Sequence, residues 1–180
     1  MKKLYYCAIV ASLLIACCDV NRGLARKLPS VQTTPDPKVE DKDINKRNQL
    51  IVKINSANQL MVQGELIDIK TLREKAKEFI LNENNADYYP EVFEEDFVLN
   101  GKAERIKYTK DHVISLQNDV DTQYQAYLEV QDELVAAYNE LRDECAMKYY
   151  HKSYNELDVE DQKLIQKIYP QKISEASSQP

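Results

Sequence analysis

The sequence predicts an α+β fold, in which helices pack on one face of a small β-sheet. Apolar and polar residues alternate with a period of two over residues 50–54 and again over 60–62, which is typical of strands. Apolar residues recur at three- and four-residue spacing over 124–145, which is typical of an amphipathic helix. The 180 residues are 43% hydrophobic and 30% charged, a globular composition that excludes collagen-like and fully disordered chains.

An apolar segment, residues 1–18, precedes the predicted domain. Met1-Lys2-Lys3 is followed by a mostly apolar run that ends at Cys18. As a helix this run is about 22 Å long, which is short for a bilayer core of about 30 Å. A basic start, a short apolar run and a small residue before a cysteine describe a secretory signal. The segment Leu14-Ile15-Ala16-Cys17 resembles a bacterial lipobox, which makes Cys17 the candidate for lipid attachment.

Two other interpretations of residues 1–18 stay open. The segment could remain uncleaved as a short anchor helix. It could also be neither a signal nor an anchor, in which case the chain would stay in the cytoplasm. A lipid-modified Cys17 or an anchor helix would each tether the rest of the chain to a membrane and place it on the far side. We expect one of these two.

Residues 19–48 are predicted to be a flexible linker. This stretch is polar and charged, contains Pro29, Pro35 and Pro37, and has no hydrophobic period. Such a composition cannot bury enough apolar surface to offset the entropy lost on ordering. As a random coil the linker would span on the order of 30 Å, which separates the domain from the membrane.

The predicted domain, residues 49–176, starts with a β-hairpin followed by a helix. Leu50–Ile54 and Leu60–Val62 are the strands, and Gly64 opens a second tight turn. Asp68 is predicted to cap the helix, with Ile67 and Leu72 in position to form a hydrophobic staple. The apolar face of this helix continues to about residue 83.

Residues 82–110 are predicted to be irregular. They are acidic and aromatic, and they contain Tyr88-Tyr89-Pro90 and Glu94-Glu95-Asp96. A structureless stretch of this length is uncommon in a compact domain unless it has a function or is flexible. A segment that contacts a partner and a flexible insertion therefore both remain open.

The last part of the domain is predicted to contain a strand, two helices and a final short strand. The first strand is Val113–Leu116, and Thr122 with Gln125 forms a capping-box pattern before a long helix. A shorter helix runs from Asp158 to Ile168, where Pro170 stops it; Lys172–Ser174 is the last strand, and 177–180 form a tail. The long helix has a core-facing stripe formed by Tyr124, Tyr127, Leu128, Leu134, Val135, Tyr138, Leu141 and Cys145.

The sequence contains no pattern for catalysis, for a metal site or for a cofactor site. Lys and Arg total 24 against 30 Asp and Glu, and this net charge of −6 argues against nucleic-acid binding. His112 and His151 are far apart, and neither has a cysteine at a zinc-ligand spacing. Cys145 is the only cysteine after residue 18, so it cannot form a disulfide within the domain; we expect a buried, unreactive thiol.

Several segments together resemble the ExbD/TolR biopolymer-transport proteins, most closely the longer ExbD-like form of Bacteroides-type bacteria. The resemblance covers roughly residues 19–176. The segments that carry it are Arg22-Gly23-Leu24-Ala25-Arg26-Lys27-Leu28-Pro29, Asn48-Gln49-Leu50-Ile51-Val52-Lys53-Ile54, Gly64-Glu65-Leu66, Val113-Ile114-Ser115-Leu116-Gln117-Asn118-Asp119, Leu134-Val135-Ala136-Ala137-Tyr138-Asn139-Glu140-Leu141-Arg142 and Tyr169-Pro170-Gln171-Lys172-Ile173-Ser174-Glu175-Ala176.

The resemblance implies a role in a membrane complex. Members of this family are single-span proteins of the bacterial inner membrane with a periplasmic α+β domain, usually paired as a homodimer. The dimer works with an ExbB/TolQ-like membrane subunit, and proton flow drives a motion that reaches TonB or the Tol–Pal system. Some relatives in the TolR branch engage peptidoglycan. From the residues themselves we expect neither enzyme activity nor a cofactor.

One feature of the family pattern is missing from this chain. The family carries an aspartate near the start of its membrane helix, where a buried carboxylate can take up and release a proton. No acidic residue lies between Met1 and Cys18, and Asp19 lies at the far end of the apolar run. Either the domain is joined to a lipoprotein leader, or the start of the gene has degraded. The alternative function is a lipid-anchored periplasmic binding module that contacts peptidoglycan or a transducer protein and is not coupled to ions.

Overall fold

A computed structural model of the chain describes residues 45–177. The predicted leader, with Cys17, and the linker up to residue 44 lie outside the described residues. The elements are β1 (Gln49–Ile54), β2 (Leu60–Val62), β3 (Glu65–Leu66), α1 (Ile69–Leu81), β4 (Phe93–Leu99), β5 (Lys102–Tyr108), β6 (Val113–Asn118), α2 (Tyr124–Tyr150), α3 (Val159–Ile168) and β7 (Ile173–Ser177), with 3-10 turns at Lys46–Asn48 and Tyr154–Glu156.

The main sheet has five strands in the order β3-β2-β1-β6-β7. β1 is antiparallel to β2 and parallel to β6, and β6 is parallel to β7. Parallel neighbours need long crossover connections. The chain between β1 and β6 therefore contains α1, and the chain between β6 and β7 contains α2 and α3.

The first hydrophobic core lies between one face of this sheet and the helices α1 and α2. Alternation along β1 buries Leu50, Val52 and Ile54, while Ile51 on the opposite face is 37% exposed. Leu72 of α1 and Leu134 of α2 are fully buried against the same strands. This arrangement confirms the predicted α+β fold with helices on one face of a sheet.

The predicted start of α1 is confirmed. Asp68 accepts a hydrogen bond from the amide of Lys70 at 2.9 Å, and Ile67 packs against the core that contains Leu72. The helix ends at Leu81, about two residues earlier than predicted, because Asn82 adopts a left-handed conformation with φ 40°. The side chain of Asn82 then bonds the backbone of the next loop, accepting from the amide of Ala86.

The prediction that residues 82–110 are irregular was wrong for 93–108, which form a hairpin. β4 and β5 pair antiparallel over their whole lengths. Asn100 and Gly101 join them with φ of 48° and 73°, the positive values that a two-residue hairpin turn requires. The inward side chains of the hairpin include Phe97, Leu99, Ile106 and Tyr108, all of which are buried. The acidic residues on β4 obscured this alternation.

A second hydrophobic core forms between this hairpin, the C-terminal part of α2 and α3. Cys145 and Ala146 of α2 pack there with Ile165 and Ile168 of α3. α2 therefore contributes to both cores, since its residues Val130, Leu134, Ala137, Tyr138 and Leu141 belong to the first. The predicted order of elements lacked the hairpin, so this second core was not foreseen.

The predicted start of α2 also needs correction. Helix α2 begins at Tyr124 after Gln123, which makes no side-chain capping bond. Instead of capping the helix, the Thr122 hydroxyl donates to the carbonyl of Ile54 at 3.2 Å and ties the loop to the end of β1. Tyr124, predicted to face the core, is 58% exposed.

Candidate functional site

The main sheet ends in two strands, β3 and β7, that each have one neighbour among the described residues, and the edge at β7 is the longer of the two. β7 pairs only with β6 among residues 45–177, so its other side has no neighbouring strand there. The amide of Ile114 donates to the carbonyl of Lys172 at 2.9 Å, which sets the register. In a parallel pair the residues of one strand alternate between bonding their neighbour and facing away. The backbone groups of Ile173 and Glu175 therefore face outward, and they can bind another strand.

Two residues of α2 hold the chain that leads into β7. The guanidinium of Arg142 donates twice to the carbonyl of Tyr169, at 3.0 and 3.2 Å. The amide of Lys172 donates to the hydroxyl of Tyr138 at 3.4 Å. Along the strand itself, the amide group of Gln131 donates to the Glu175 carboxylate at 3.1 Å. The edge is thus attached to the long helix at three points.

Tyr138 belongs to a buried polar cluster with His112 and Thr109. Nδ1 of His112 lies 2.6 Å from the carbonyl of Thr109, so this nitrogen carries the proton. Nε2 is then an acceptor, and the Tyr138 hydroxyl donates to it at 3.0 Å. Every buried side-chain nitrogen and oxygen in the described part of the chain has a hydrogen-bond partner.

Burial determines the protonation states in this cluster. His112 is fully buried, and desolvation lowers its pKa to about 4, with the charge of Lys172 acting in the same direction. Backbone hydrogen bonding with Thr109 and Pro170 and the charge of Asp111 oppose this shift. Desolvation also raises the pKa of Tyr138 well above its usual range. The imidazole is therefore neutral at pH 7 and the phenol keeps its proton.

The face of the main sheet opposite the helices carries apolar side chains. Met61 lies across from Lys53 on one side and from Leu66 on the other. Leu66 is 62% exposed, and Ile51 on β1 is partly exposed on the same face. These side chains lie on β1, β2 and β3, toward the β3 edge of the sheet, and such an exposed apolar face is a surface for a partner.

The structure places the other residues singled out in the sequence away from any shared site. Cys17 lies outside the described residues. Cys145 is buried in the second core, where desolvation raises its pKa to about 11, as expected of an unreactive thiol. His151 follows the last residue of α2 and is exposed, whereas His112 is buried and lies 39 positions earlier in the chain. Over residues 45–177 no cluster of three or more His, Cys, Asp or Glu side chains could hold a metal ion.

A family model described as "Biopolymer transport protein ExbD/TolR" matches residues 13–142. This match spans more than half of the chain. The chain belongs to the ExbD/TolR family. A comparison with curated proteins finds no match.

The family match spans β1–β6 and ends inside α2. It begins within the apolar N-terminal run and extends to Arg142. Cys145 and Ala146, the α2 residues of the second core, come after this point, as do α3 and β7. The resemblance over 169–176 therefore lies outside the matched range.

Membership defines the class of function of this ExbD/TolR protein. The family is associated with biopolymer transport and is not enzymatic. Its members generally work with ExbB/TolQ-type partners and with TonB or TolA, at the inner membrane with a periplasmic domain. No helix within residues 45–177 combines the length and the apolar character needed to cross a bilayer.

Proposed function

We propose that this ExbD/TolR protein is the membrane-tethered component of an energy-transducing complex of the ExbB/ExbD/TonB or Tol–Pal type. The domain of residues 45–177 faces the periplasm and passes contact or force to a TonB- or Pal-system transducer. The observation that carries this proposal is the family match, because it joins the end of the apolar run to the folded domain in one continuous range. Peptidoglycan is a second proposed contact, which the resemblance to the TolR branch implies.

The fold supports a role in contact and not in bond chemistry. The buried His112 is closed off from solvent and hydrogen-bonded to Tyr138, so its ring is not presented to a substrate. What the domain offers is the free edge of β7 and the open face of its sheet. Strand edges bind other strands through backbone hydrogen bonds.

A homodimer through β7 is the pairing that this edge favours. The outward amide of Glu175 is one of the donors that a second β7 would use. Glu175→Pro removes this donor, whereas Glu175→Ala keeps it, and both lose the bond from Gln131. We expect a dimer for the full chain and for Glu175→Ala, and monomers for Glu175→Pro, by light scattering in mild detergent. A monomer in every case, or a dimer that survives the proline, would contradict pairing at this edge.

Co-purification tests the complex itself. We expect an ExbB/TolQ-like subunit to remain bound to the tagged chain after detergent extraction of its native membrane.

The side of the membrane on which the domain lies is tested with Val120→Cys, because Val120 is 77% exposed and Cys145 is buried. A membrane-impermeant maleimide should label position 120 in spheroplasts. No partner after extraction and no label at position 120 would together contradict the proposal.

The alternative is a lipid-anchored periplasmic module that is not coupled to ions. The lipobox-like Leu14-Ile15-Ala16-Cys17 and the lack of acidic residues between Met1 and Cys18 favour it. We therefore assign proton transfer to no residue of this chain. Mass spectrometry of the mature amino terminus separates the two functions. A diacylglyceryl group on Cys17 supports the lipid anchor, and an intact Met1 excludes it.

A further inference from the structure

A cavity of about 580 Å³ lies beside β5, and no residue of β7 lines it. Its walls are β5, the residues that follow α1, and the C-terminal part of α2. Arg105, Ile106 and Lys107 of β5 line it in succession, whereas β4 contributes only Glu94. Successive side chains of a strand point to opposite faces. A cavity that touches three consecutive residues therefore lies against the edge of the strand.

The outer edge of β5 is unpaired. β4 and β5 form a two-stranded sheet, so each has one side without a strand among the described residues. Because Asn100 and Gly101 form a two-residue turn, the flanking pair Leu99 and Lys102 exchanges both backbone hydrogen bonds. The bonded pairs alternate from there, so Ile106 bonds β4. The N–H and C=O groups of Arg105 and Lys107 point the other way, toward the cavity.

The charges on the hairpin alternate from strand to strand. On its outer face β4 carries Glu94 and Asp96, and β5 carries Lys107 and Arg105 directly opposite them. The pairs are 3.2 Å apart for Lys107 with Glu94 and 2.9 Å apart for Arg105 with Asp96. Acidic side chains on a third strand would continue this pattern, since opposite charges attract across neighbouring strands and like charges repel.

The inner side of the cavity is apolar. Ile106 and Cys145 are buried at its floor, and Leu81 with Tyr149 and Tyr169 complete it. Lys148 lies at the rim, 5.0 Å from the Tyr149 ring, and forms no ion pair with the described residues. Glu83, Glu94 and Glu144 also line the cavity. Glu94 is paired with Lys107 at 3.2 Å and Glu144 with Lys77 at 2.8 Å. An added strand would therefore place every second side chain on an apolar surface and the others beside cations.

From this geometry we infer that the edge of β5 binds an extended peptide segment of a partner protein, in which acidic residues alternate with apolar ones. The segment adds a third strand to the hairpin through the backbone groups of Arg105 and Lys107. Its acidic side chains lie beside the cations of β5 and Lys148, and its apolar side chains enter the cavity. This site is separate from β7, and it does not depend on the proposed transport function.

The experiment uses the full chain in mild detergent and an eight-residue blocked peptide of alternating Glu and Val. Amide hydrogen exchange is measured at single residues before and after the peptide is added. The amides of Arg105 and Lys107 should exchange rapidly at first and slow by about tenfold or more with the peptide, because they become hydrogen-bonded. The amide of Ile106, which already bonds β4, should change little. A matched peptide of alternating Lys and Val should have no effect.

Two proline variants form a matched pair. Arg105→Pro and Asp96→Pro both destroy the same ion pair, and each removes an outward amide that bonds no neighbouring strand. Arg105→Pro removes an amide from the outer edge of β5, whereas Asp96→Pro removes one from the outer edge of β4. We expect Arg105→Pro to weaken binding of the Glu/Val peptide by about tenfold and Asp96→Pro to leave it within about twofold. Lys148→Glu, which touches no backbone group, should weaken the same peptide without changing the stability of the hairpin.

Several results would overturn the inference. One is unchanged amide exchange at Arg105 and Lys107 in the presence of the Glu/Val peptide. Another is an equal loss of affinity for this peptide in the two proline variants. A third is that the Lys/Val peptide slows exchange as much as the Glu/Val peptide does. Slowed exchange of these amides with rising protein concentration, without peptide, would assign the edge to a second copy of the chain and also overturn it. If Arg105→Pro does not fold, the Lys148→Glu variant and the comparison of the two peptides still test the inference.

Discussion

The imidazole of His112 and the phenol of Tyr138 share a hydrogen bond of 3.0 Å in the buried interior, with their rings 5.8 Å apart. His112 lies in the connection between β5 and β6, and Tyr138 lies in the middle of α2. The same phenol accepts a hydrogen bond from the amide of Lys172, at the start of β7. This pair therefore links the long helix to β7, a strand at the edge of the sheet.

The neutral state of His112 should make the domain less stable in acid. Folding lowers the pKa of His112 from 6.5 to about 4, so the folded state binds fewer protons than the unfolded state between these values. By linkage the free energy of unfolding is highest above pH 6.5 and falls as the pH drops toward 4, by up to roughly 3 kcal/mol.

Urea unfolding at pH values from 7.5 to 4.5 measures this dependence, with His112→Gln as the control. Glutamine does not titrate, so the free energy of unfolding of His112→Gln should depend less on pH between pH 6.5 and 5. The substitution should also destabilise the protein at every pH. The carboxyl groups of Asp96 and Glu140 have lowered pKa values because of their basic partners, and they contribute mainly below this window. Equal slopes for the two proteins would disprove the role of His112.

Tyr138→Phe should destabilise the fold and loosen β7. The substitution keeps the buried ring but leaves Nε2 of His112 without a donor, at a cost of about 1–3 kcal/mol. The Lys172 amide loses its acceptor at the same time, so amide exchange over β7 should become faster. Tyr124→Phe is the control, because Tyr124 is exposed, and it should change stability by less than about 0.5 kcal/mol. Unaltered exchange over β7 in Tyr138→Phe would show that the bond to Lys172 does not hold this strand.

Ile165→Ala tests whether the second core is an integral part of the domain. Ile165 is fully buried between α3 and the hairpin, so its truncation should cost about 2–5 kcal/mol. Because α2 runs through both cores, unfolding followed by tyrosine fluorescence and by circular dichroism should remain a single transition. Val159→Ala, on the exposed side of α3, should be nearly neutral. Two separate transitions would mean that the second core unfolds by itself.

The thiol of Cys145 should resist alkylation in the folded protein. Burial raises its pKa to about 11, so very little thiolate is present at pH 8. We expect iodoacetamide to modify it roughly a hundredfold more slowly in the native state than in urea. Peptide mass spectrometry follows position 145 separately from Cys7, Cys17 and Cys18. Comparable rates in the two states would show that the second core opens readily.

Local patterns were sufficient to predict most of the first core. The alternation in Leu50–Ile54 and the cap at Asp68 are properties of neighbouring residues, and the structure confirms both. The stripe of α2 was correct at Leu134 and Tyr138, although Tyr124 at its start is exposed. The hairpin could have been found as well, because Asn100-Gly101 is a strong turn signal between two alternating segments.

By itself the sequence determined the α+β class, the helix boundaries near Asp68 and Asp158, and the segments that resemble the ExbD/TolR family, because each depends on residues close together in the chain. Only the tertiary structure decided which strand edges stay free and which polar groups meet. The partnership of His112 with Tyr138 joins residues 26 positions apart, and β7 pairs with β6 across two helices. Such contacts depend on how the elements pack, and no local periodicity encodes them.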